Sequence, residues 1–352
     1  VITGCTLNEN IGNNEGGGIS NNSSSPQITN CTFSGNKSAG SGGGINNNNN
    51  SSPVLLKCTI EKTSANNGEG IYNYNNSNPT VTNCLIVNNS ATTYGGGVTN
   101  SSSPSSVFIN CTISGNTSSS NGGGVYNNSS STVLKNSIIW GNTATTGSQF
   151  HNSYSSTTLN NSCYQNESND ITSDYSSSFS PDDKCITTDP KFINPNNDFR
   201  MAESSPCLDA GNNDFNNELT DIRGEGFARK LAKTDAGQTG TIDMGAYEYK
   251  KGTDPAEAEF HRYFVKSDAA GLDNGSSWQN AFTSLQDALT VAVRNNEIWV
   301  AAGTYKPTTG TDRNASFHLR SDLAVYGGFN GTETLLSQRN WQTNITILSG
   351  DL

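Results

Sequence analysis

The sequence predicts an all-β fold for the first half of the chain, a parallel β-solenoid built from short strands. Single cysteines recur every 26–27 residues, at Cys5, Cys31, Cys58, Cys84 and Cys111. A glycine before Ile or Val recurs with the same period, at Gly18, Gly44, Gly70, Gly97 and Gly124. Two independent markers that share one period of this length indicate a solenoid. The short segments between Gly, Asn and Ser leave no room for a helix of ordinary length.

Three columns of apolar residues predict three short strands in each coil. The first column lies three positions before the cysteine position: Ile2, Ile28, Leu55, Val81, Phe108 and Leu134. The second lies two positions after it: Leu7, Phe33, Ile60, Ile86, Ile113 and Ile139. The third follows the glycine: Ile19, Ile45, Ile71, Val98, Val125 and Phe150. We expect all three columns to point inward and to fill a narrow core that neighbouring coils share.

Asparagine and glycine mark the corners of the coils. The residue before the cysteine position is predicted to form a tight bend, because Gly and Asn tolerate a left-handed backbone. These residues are Gly4, Asn30, Lys57, Asn83, Asn110 and Asn136, of which the lysine is unexplained. Two further columns are expected to bond along the axis as ladders. They are Asn10, Asn36, Asn89, Asn116 and Asn142, with Thr63 in the third coil, and Asn21, Asn47, Asn73, Asn100, Asn127 and Asn152.

The composition suits a thin core under a large, uncharged polar surface. Only 32% of the 352 residues are hydrophobic and 14% are charged, so Asn, Ser, Thr and Gly dominate. The net charge of −11 argues against nucleic acid or an anionic membrane as a partner. No apolar run is long enough to predict a membrane span. Val1 already lies inside a repeat, so we expect the chain to be a segment of a longer protein.

The repeats contain the words GGGI and GGGV and the FxxN-like words FSGN (33–36), IVNN (86–89), ISGN (113–116) and IWGN (139–142). Over residues 1–152 they resemble the repeats of polymorphic outer membrane proteins and related bacterial β-helix adhesins. The resemblance implies a right-handed parallel β-helix, secretion and display on the bacterial surface. Residues 188–213, with DIRGEG (221–226) and IDMGAYEY (242–249), resemble the module that closes such β-helices in large surface proteins.

We therefore divide the chain into β-helix coils (1–165), a closing module (166–249), a polar linker (250–260) and a third part (261–352). In the third part TSLQDALTVAV predicts a helix, with Thr283 and Gln286 as a capping box. Its apolar face is Leu285, Ala288, Leu289, Ala292 and Val293. The segments EIWVAAGTY, FHLRSDLAVYGGF and NITILSGDL are predicted strands. This order resembles the start of a second β-helix, plugged by its helix, so we expect tandem β-helix units.

The repeated cysteines are predicted to form a stack of buried thiols. Neighbouring coils lie about 4.8 Å apart with parallel side chains, whereas a disulfide needs converging Cβ atoms about 3.8 Å apart. The disulfide state of Cys163, Cys185 and Cys207, which lie outside the column, stays open. No CxxC or Cys/His cluster predicts a zinc site. We interpret the histidines as incidental: His151, His261 and His318.

The acidic residues raise the question of an enzyme, because β-helix pectinases and lyases use carboxylates, calcium and a basic residue. A calcium site in the closing module stays open, although turn caps and salt bridges are the commoner roles. Its candidates are Asp182, Asp183, Asp189, Asp209, Asp214, Asp221 and Asp243, with Arg223 and Arg229 nearby. The coils hold only Glu9, Glu15, Glu61 and Glu69. These are never paired on adjacent strands, whereas general acid–base catalysis needs two placed groups. We therefore expect no catalytic residue and no cofactor.

The function expected is that of a non-enzymatic, extracellular structural or adhesive segment of a large bacterial adhesin or filament. Its expected partners are tandem units, neighbouring copies of itself and surface glycans. One alternative is a polysaccharide lyase or glycoside hydrolase on the same fold. Another is a carbohydrate-binding module, for which Tyr72 and Tyr126 are the only matching aromatic pair, on coils that are not adjacent. A threonine column after the cysteines is interrupted by Leu85 and Ile138, which disfavours ice binding.

Overall fold

The computed structural model divides the chain into two compact units, Val1–Ala256 and Glu257–Leu352. It describes residues 1–102, 104–232, 235–251, 254, 261–292, 296–308, 310, 312–313, 315–319 and 323–350. Most of the predicted linker and Val293 lie outside these residues. The first unit is a parallel β-helix, as the sequence predicts, and its coils stack in sequence order.

Four parallel sheets run along the first unit, each built from one short strand per coil. Sheet 1 comprises Ile2–Thr3, Gln27–Thr29, Val54–Leu56, Thr80–Thr82, Ser105–Ile109, Ser131–Lys135, Ser156–Asn160 and Ser178–Pro181. Sheet 2 comprises Thr6–Asn8, Thr32–Ser34, Thr59–Glu61, Leu85–Val87, Thr112–Ser114, Ile138–Trp140 and Cys163–Tyr164. Sheet 3 comprises Ile11–Gly12, Lys37–Ser38, Ser64–Asn67, Ser90–Tyr94 and Thr117–Ser118. Sheet 4 comprises Ile19–Asn22, Ile45–Asn48, Ile71–Tyr74, Val98–Ser101, Val125–Asn128, Phe150–Ser153 and Ile171–Asp174.

The strand register joins equivalent residues of successive coils and confirms the three apolar columns. Leu55, for example, pairs with Ile28 on one side and with Val81 on the other. From the second coil onward the members of these columns are fully buried in one continuous core, with Phe33 and Phe108 among the largest. Parallel pairing continues to Ser178–Pro181, beyond residue 165 where we placed the last coil.

Sheet 3 is a fourth strand column that the apolar pattern does not reveal. Its strands contain two to five residues, rich in Ser, Thr, Asn and Ala. Small side chains such as Ala65 and Ala91 occupy its inward positions and are buried. A pattern search for large apolar residues has no signal to find in such strands.

The glycines of the repeated words GGGI and GGGV have two different roles in the backbone. The first glycine of each word adopts a left-handed backbone, with φ of 68° at Gly42 and 65° at Gly95. The last glycine leaves space for the next coil, since a Cβ on Gly44 would lie 2.6 Å from the carbonyl oxygen of Gly70. The repeated glycines therefore set the distance between coils at this corner.

The closing module lies against the outer face of sheet 2. It contains two antiparallel strand pairs, Phe192–Asn194 with Asp198–Met201 and Leu231–Ala232 with Asp235–Thr239, and a 3₁₀ turn at Asn213–Phe215. Leu85 and Val87 pack against Phe199 and Ala246, while Ile138 packs in a second cluster with Met201 and Met244. The apolar residues that interrupt the threonine column are therefore the ones the module covers.

The second unit has a three-stranded parallel sheet of Arg262–Val265, Glu297–Ala301 and Ala324–Phe329. Gly303–Tyr305 pairs with Thr346–Leu348, and Leu336–Gln338 forms a 3₁₀ turn. The helix spans Leu285–Val291 and buries its predicted apolar face in the core of this unit.

Two details of the second unit differ from the prediction. The capping box is wrong, because the N-cap is Ser284, whose side chain accepts a hydrogen bond from the Gln286 amide at 3.1 Å. Thr283 instead bonds to Asp273 through its own amide, at 2.7 Å. The strand expected over FHLRSDLAVYGGF begins only at Ala324.

Candidate functional site

The cysteine column runs in single file inside the coils from Cys31 to Cys111, whereas Cys5 in the first coil is exposed and not buried as predicted. All eight thiols of the chain are free. The Cys58 amide donates to Sγ of Cys84 at 3.2 Å, and that thiol donates to the Thr82 carbonyl at 3.2 Å. Further along, the Cys111 amide donates to Oγ of Ser137 at 3.1 Å, so serine replaces cysteine in the same role. Burial raises the pKa of Cys84 well above its ordinary value, so the stacked thiol is neutral.

The predicted asparagine ladders are present at both corners. In one, Asn47 donates to Asn73, Asn73 to Asn100 and Asn100 to Asn127, at 2.8–2.9 Å. In the other, Asn89 donates to Asn116 and Asn116 to Asn142, both at 2.9 Å. Thr63 takes its place in the second ladder by donating its hydroxyl to Asn89 at 2.8 Å. Each amide that donates in these ladder bonds thus finds its acceptor one coil away.

The third asparagine column binds the closing module. Asn30, Asn83, Asn110 and Asn136 all have positive φ, as predicted, and so does Lys57 at 54°. Asn216 donates to the side chains of both Asn83 and Asn110 at 2.9 Å, and Asn136 donates to the Asn212 carbonyl at 2.9 Å.

Lys57, the exception in this column, has the same kind of partner. Its Nζ donates to Oγ1 of Thr220 at 2.6 Å and lies 3.6 Å from Glu218. The sequence pattern identified the bend but not this docking role.

A buried network of charges holds the closing module. Arg229 and Glu248 have fully buried side chains and form an ion pair at 3.3 Å. Arg229 also donates to Asn83 of the coils at 2.8 Å. Burial and the neighbouring Glu248 raise the pKa of Asp243 well above its ordinary value. Its carboxylate accepts hydrogen bonds from the amides of Asp209 and Tyr249.

The other aspartates that we considered for calcium serve as turn caps and ion-pair partners. Asp221 contacts Arg223 at 2.6 Å, and so does Asp254, which was not one of the candidates. Asp182 accepts from the Asn161 and Lys184 amides, and Asp189 from the Lys191 amide. Within the part of the chain that the structure describes, no group of three or more His, Cys, Asp or Glu residues has a metal-binding arrangement. The same part holds no helix long and apolar enough to span a membrane.

The coil carboxylates stay apart from one another. Glu15 accepts from Asn46 at 3.1 Å, and Glu61 accepts from Ser34 at 3.1 Å. Glu69, which replaces the middle glycine of the repeat word, is fully buried, and neither of its carboxylate oxygens makes a well-formed hydrogen bond. Burial raises the pKa of Glu69 to about 10, although backbone groups of Ala65 and Thr92 partly offset the effect.

A row of aromatic rings crosses successive coils on the outer side of sheet 4. The Tyr126 ring centroid lies 4.7 Å from that of Tyr94 and 5.4 Å from that of His151. Nε2 of His151 lies 3.2 Å from the Asp174 carboxylate of the next coil. Burial raises the pKa of Tyr126, and the charges of Tyr94, Asp174 and Tyr175 raise it further.

His151 orients the carboxylate in this row. Burial lowers the pKa of His151 although Asp174 opposes the shift, so the imidazole is neutral at neutral pH. A carboxylate can only accept, so the N–H lies on Nε2, which faces Asp174 at 3.2 Å, and Nδ1 lies 3.4 Å from the Thr146 hydroxyl. The sequence did not reveal these contacts of His151.

Tyr154 and Tyr175 each follow a strand of sheet 4 at the corner of their coil, and we call this pair the tyrosine platform. Their rings stack with centroids 4.4 Å apart and planes 5° apart. Their exposed fractions are 57% and 73%, and their φ angles are 50° and 59°. At the equivalent corner other coils place small polar residues with positive φ: Asn49, Asn75, Ser102 and Ser129.

Sequence reasoning missed most of the row because its members break the period. Tyr94 ends a sheet 3 strand, and the seventh coil is short, since Ser156 pairs with Ser178. The word YSS, present at both Tyr154 and Tyr175, is the signal that could have revealed the platform.

The coil geometry agrees with a comparison against known families. Residues 1–118 match the family model described as right handed beta helix region. The coils of the first unit have the right-handed β-helix fold. The match covers about a third of its 352 residues and ends within the fifth coil. Searches of curated proteins and of solved structures give no significant match.

Proposed function

We propose that this β-helix protein is a non-enzymatic, extracellular segment of a bacterial adhesin or filament, in which the coils form a stiff polar support. The observation that carries the proposal is the hydrogen bonding between successive coils. Two asparagine ladders and continuous parallel pairing bond the buried polar groups to one another across successive coils. The outward side chains are mostly uncharged Asn, Ser and Thr, which suits many weak surface contacts.

The repeat words support the cell-surface assignment, since they resemble those of bacterial β-helix adhesins. Under this proposal the partners are further β-helix units of the same protein, neighbouring copies and surface glycans. Immuno-electron microscopy of intact source cells tests the location. We expect label on the cell exterior or along fibres, and label confined to the cell interior would overturn the proposal.

Adhesion and catalysis can be separated in one assay. The purified chain is coated on beads and mixed with soluble polysaccharides and matrix proteins, while the viscosity of each polysaccharide is followed. We expect retention of at least one of them with unchanged viscosity. A steady fall in viscosity would instead identify a polysaccharide-degrading enzyme, and retention of none of them would remove the adhesive role.

A further inference from the structure

The tyrosine platform has a backbone that is unfavourable for its residues. A bulky residue in the left-handed region is strained, and the platform contains two such residues but only one stacked pair of rings. The other coils use Asn or Ser at this corner, which the left-handed backbone suits better. Stability of the fold therefore does not explain why two exposed tyrosines occupy this corner.

The chemistry around the platform combines a flat apolar surface with polar groups. The outer ring, Tyr175, is 73% exposed. Next to it in sequence the Asp174 carboxylate is 48% exposed and is held by His151 at 3.2 Å. The Tyr126 ring centroid lies 5.4 Å from that of His151, the residue that holds this carboxylate. An apolar protein partner would bury this carboxylate at a large cost, and a phosphate-bearing partner would be repelled by it.

A sugar ring has the complementary chemistry. One face of a hexopyranose presents C–H groups that pack on an aromatic ring, while its edge presents hydroxyls that donate to a carboxylate. Its length is similar to the spacing of neighbouring coils, about 4.8 Å, so a chain of sugars can follow the row from coil to coil.

We propose that the tyrosine platform is a glycan-binding site, in which one unit of a neutral polysaccharide stacks on Tyr175 and donates hydroxyl hydrogen bonds to Asp174. Tyr154 supports the Tyr175 ring from behind, and His151 positions the carboxylate. This assignment rests on the proposed adhesive function and names its ligand class and its residues.

Affinity electrophoresis in gels that contain a soluble glucan, mannan or galactan tests the site. We expect at least one neutral polysaccharide to retard the wild-type chain. The double variant Tyr154→Asn with Tyr175→Asn, which installs the residue that other coils use here, should lose at least tenfold in affinity. It should also unfold at an equal or higher temperature, since it relieves the strained backbone. Asp174→Asn should weaken binding several-fold.

The stacked pair Tyr72 and Tyr74, 6.1 Å apart on the same sheet, provides the matched control. Tyr72→Ala with Tyr74→Ala should leave the retardation unchanged. Unchanged retardation of the Tyr154/Tyr175 variant would overturn the site while leaving adhesion intact. A wild-type chain that adheres only to proteins would overturn the glycan assignment, and one that adheres to nothing would overturn the adhesive function as well.

Discussion

At the scale of single residues, the tight bend of each coil presents a backbone amide that needs an acceptor in the next coil. Cysteine and serine both supply one, through Sγ of Cys84 for Cys58 and through Oγ of Ser137 for Cys111. The thiol adds apolar volume to the core, where free cysteine behaves as a small hydrophobe. Periodic cysteines therefore indicate a hydrogen-bonding column here and not a disulfide framework.

Substitutions at Cys84 separate these two contributions. Cys84→Ser should cost little stability, because a hydroxyl can accept from Cys58 and donate to Thr82 as Ser137 does in its own coil. Cys84→Ala leaves the buried amide of Cys58 unpaired. It should lower the free energy of unfolding by about 1–3 kcal/mol more than Cys84→Ser does. Urea denaturation of both variants measures the difference, and equal stabilities would show that the hydrogen bond is unimportant.

Glu69 should make stability depend on pH. Its pKa rises from 4.5 to about 10 on folding, because burial disfavours the carboxylate. The folded state therefore holds a proton that the unfolded state has released, and stability should fall as pH increases from about 4.5 towards 10. Glu69→Gln should make the free energy of unfolding less dependent on pH. Denaturation curves recorded at several pH values between 4.5 and about 10 measure this dependence. Glu61→Gln, at a partly exposed position, is the control, and an equal effect of both would contradict the assignment.

At the scale of elements, strands of two to five residues cannot be stable alone, and their neighbours fix their register. A slip by one residue would point every inward side chain outward and would break both asparagine ladders. The ladders thus specify the register as well as satisfying buried amides. Their spacing is visible in the sequence because each bond joins residues 25–27 positions apart.

Asn100 is the best point at which to test a ladder. It is fully buried, accepts from Asn73 and donates to Asn127 and Thr132. Asn100→Ala leaves several polar groups unpaired, each at about 1–3 kcal/mol, and should strongly destabilise the coils. Asn22→Ala, on the exposed side of sheet 4, should change stability by less than about 0.5 kcal/mol. Thermal unfolding followed by circular dichroism would contradict the ladder's role if the two variants behaved alike.

At the scale of the first unit as a whole, the closing module covers sheet 2 along several coils. Its contacts run from Lys57 through Asn83 and Asn110 to Asn136, and apolar residues of sheet 2 lie beneath it. A solenoid would otherwise expose these residues to solvent. Coils and module therefore depend on each other for burial and should unfold cooperatively.

Arg229 tests this dependence. Arg229→Met leaves Glu248 as a buried carboxylate without its cation, which should cost about 3–5 kcal/mol. Limited proteolysis should then cut within residues 204–249 much faster than in the wild type. Lys184→Ala removes an exposed ion pair, at 3.5 Å from Asp183, and should have little effect. Unchanged proteolysis of the Arg229 variant would show that the module does not rely on this pair.

The sequence by itself determined the features that repeat: the parallel coils, the three inward columns, the left-handed bends and the two ladders. Each of these joins a residue to its equivalent in the next coil, so the spacing along the chain is also the spacing in space. The sequence did not predict sheet 3, because its inward residues, such as Ala65, are too small to give an apolar pattern.

Only the tertiary structure decided what lies on the outside of the coils. Lys57 meets Glu218, and Asn83 meets Arg229, through contacts between residues more than a hundred positions apart that occur once each. The aromatic row likewise joins Tyr94 of sheet 3 to Tyr126 and His151 of sheet 4. Such contacts depend on how the coils pack against the closing module and how the sheets meet. This packing leaves no periodic pattern in the sequence.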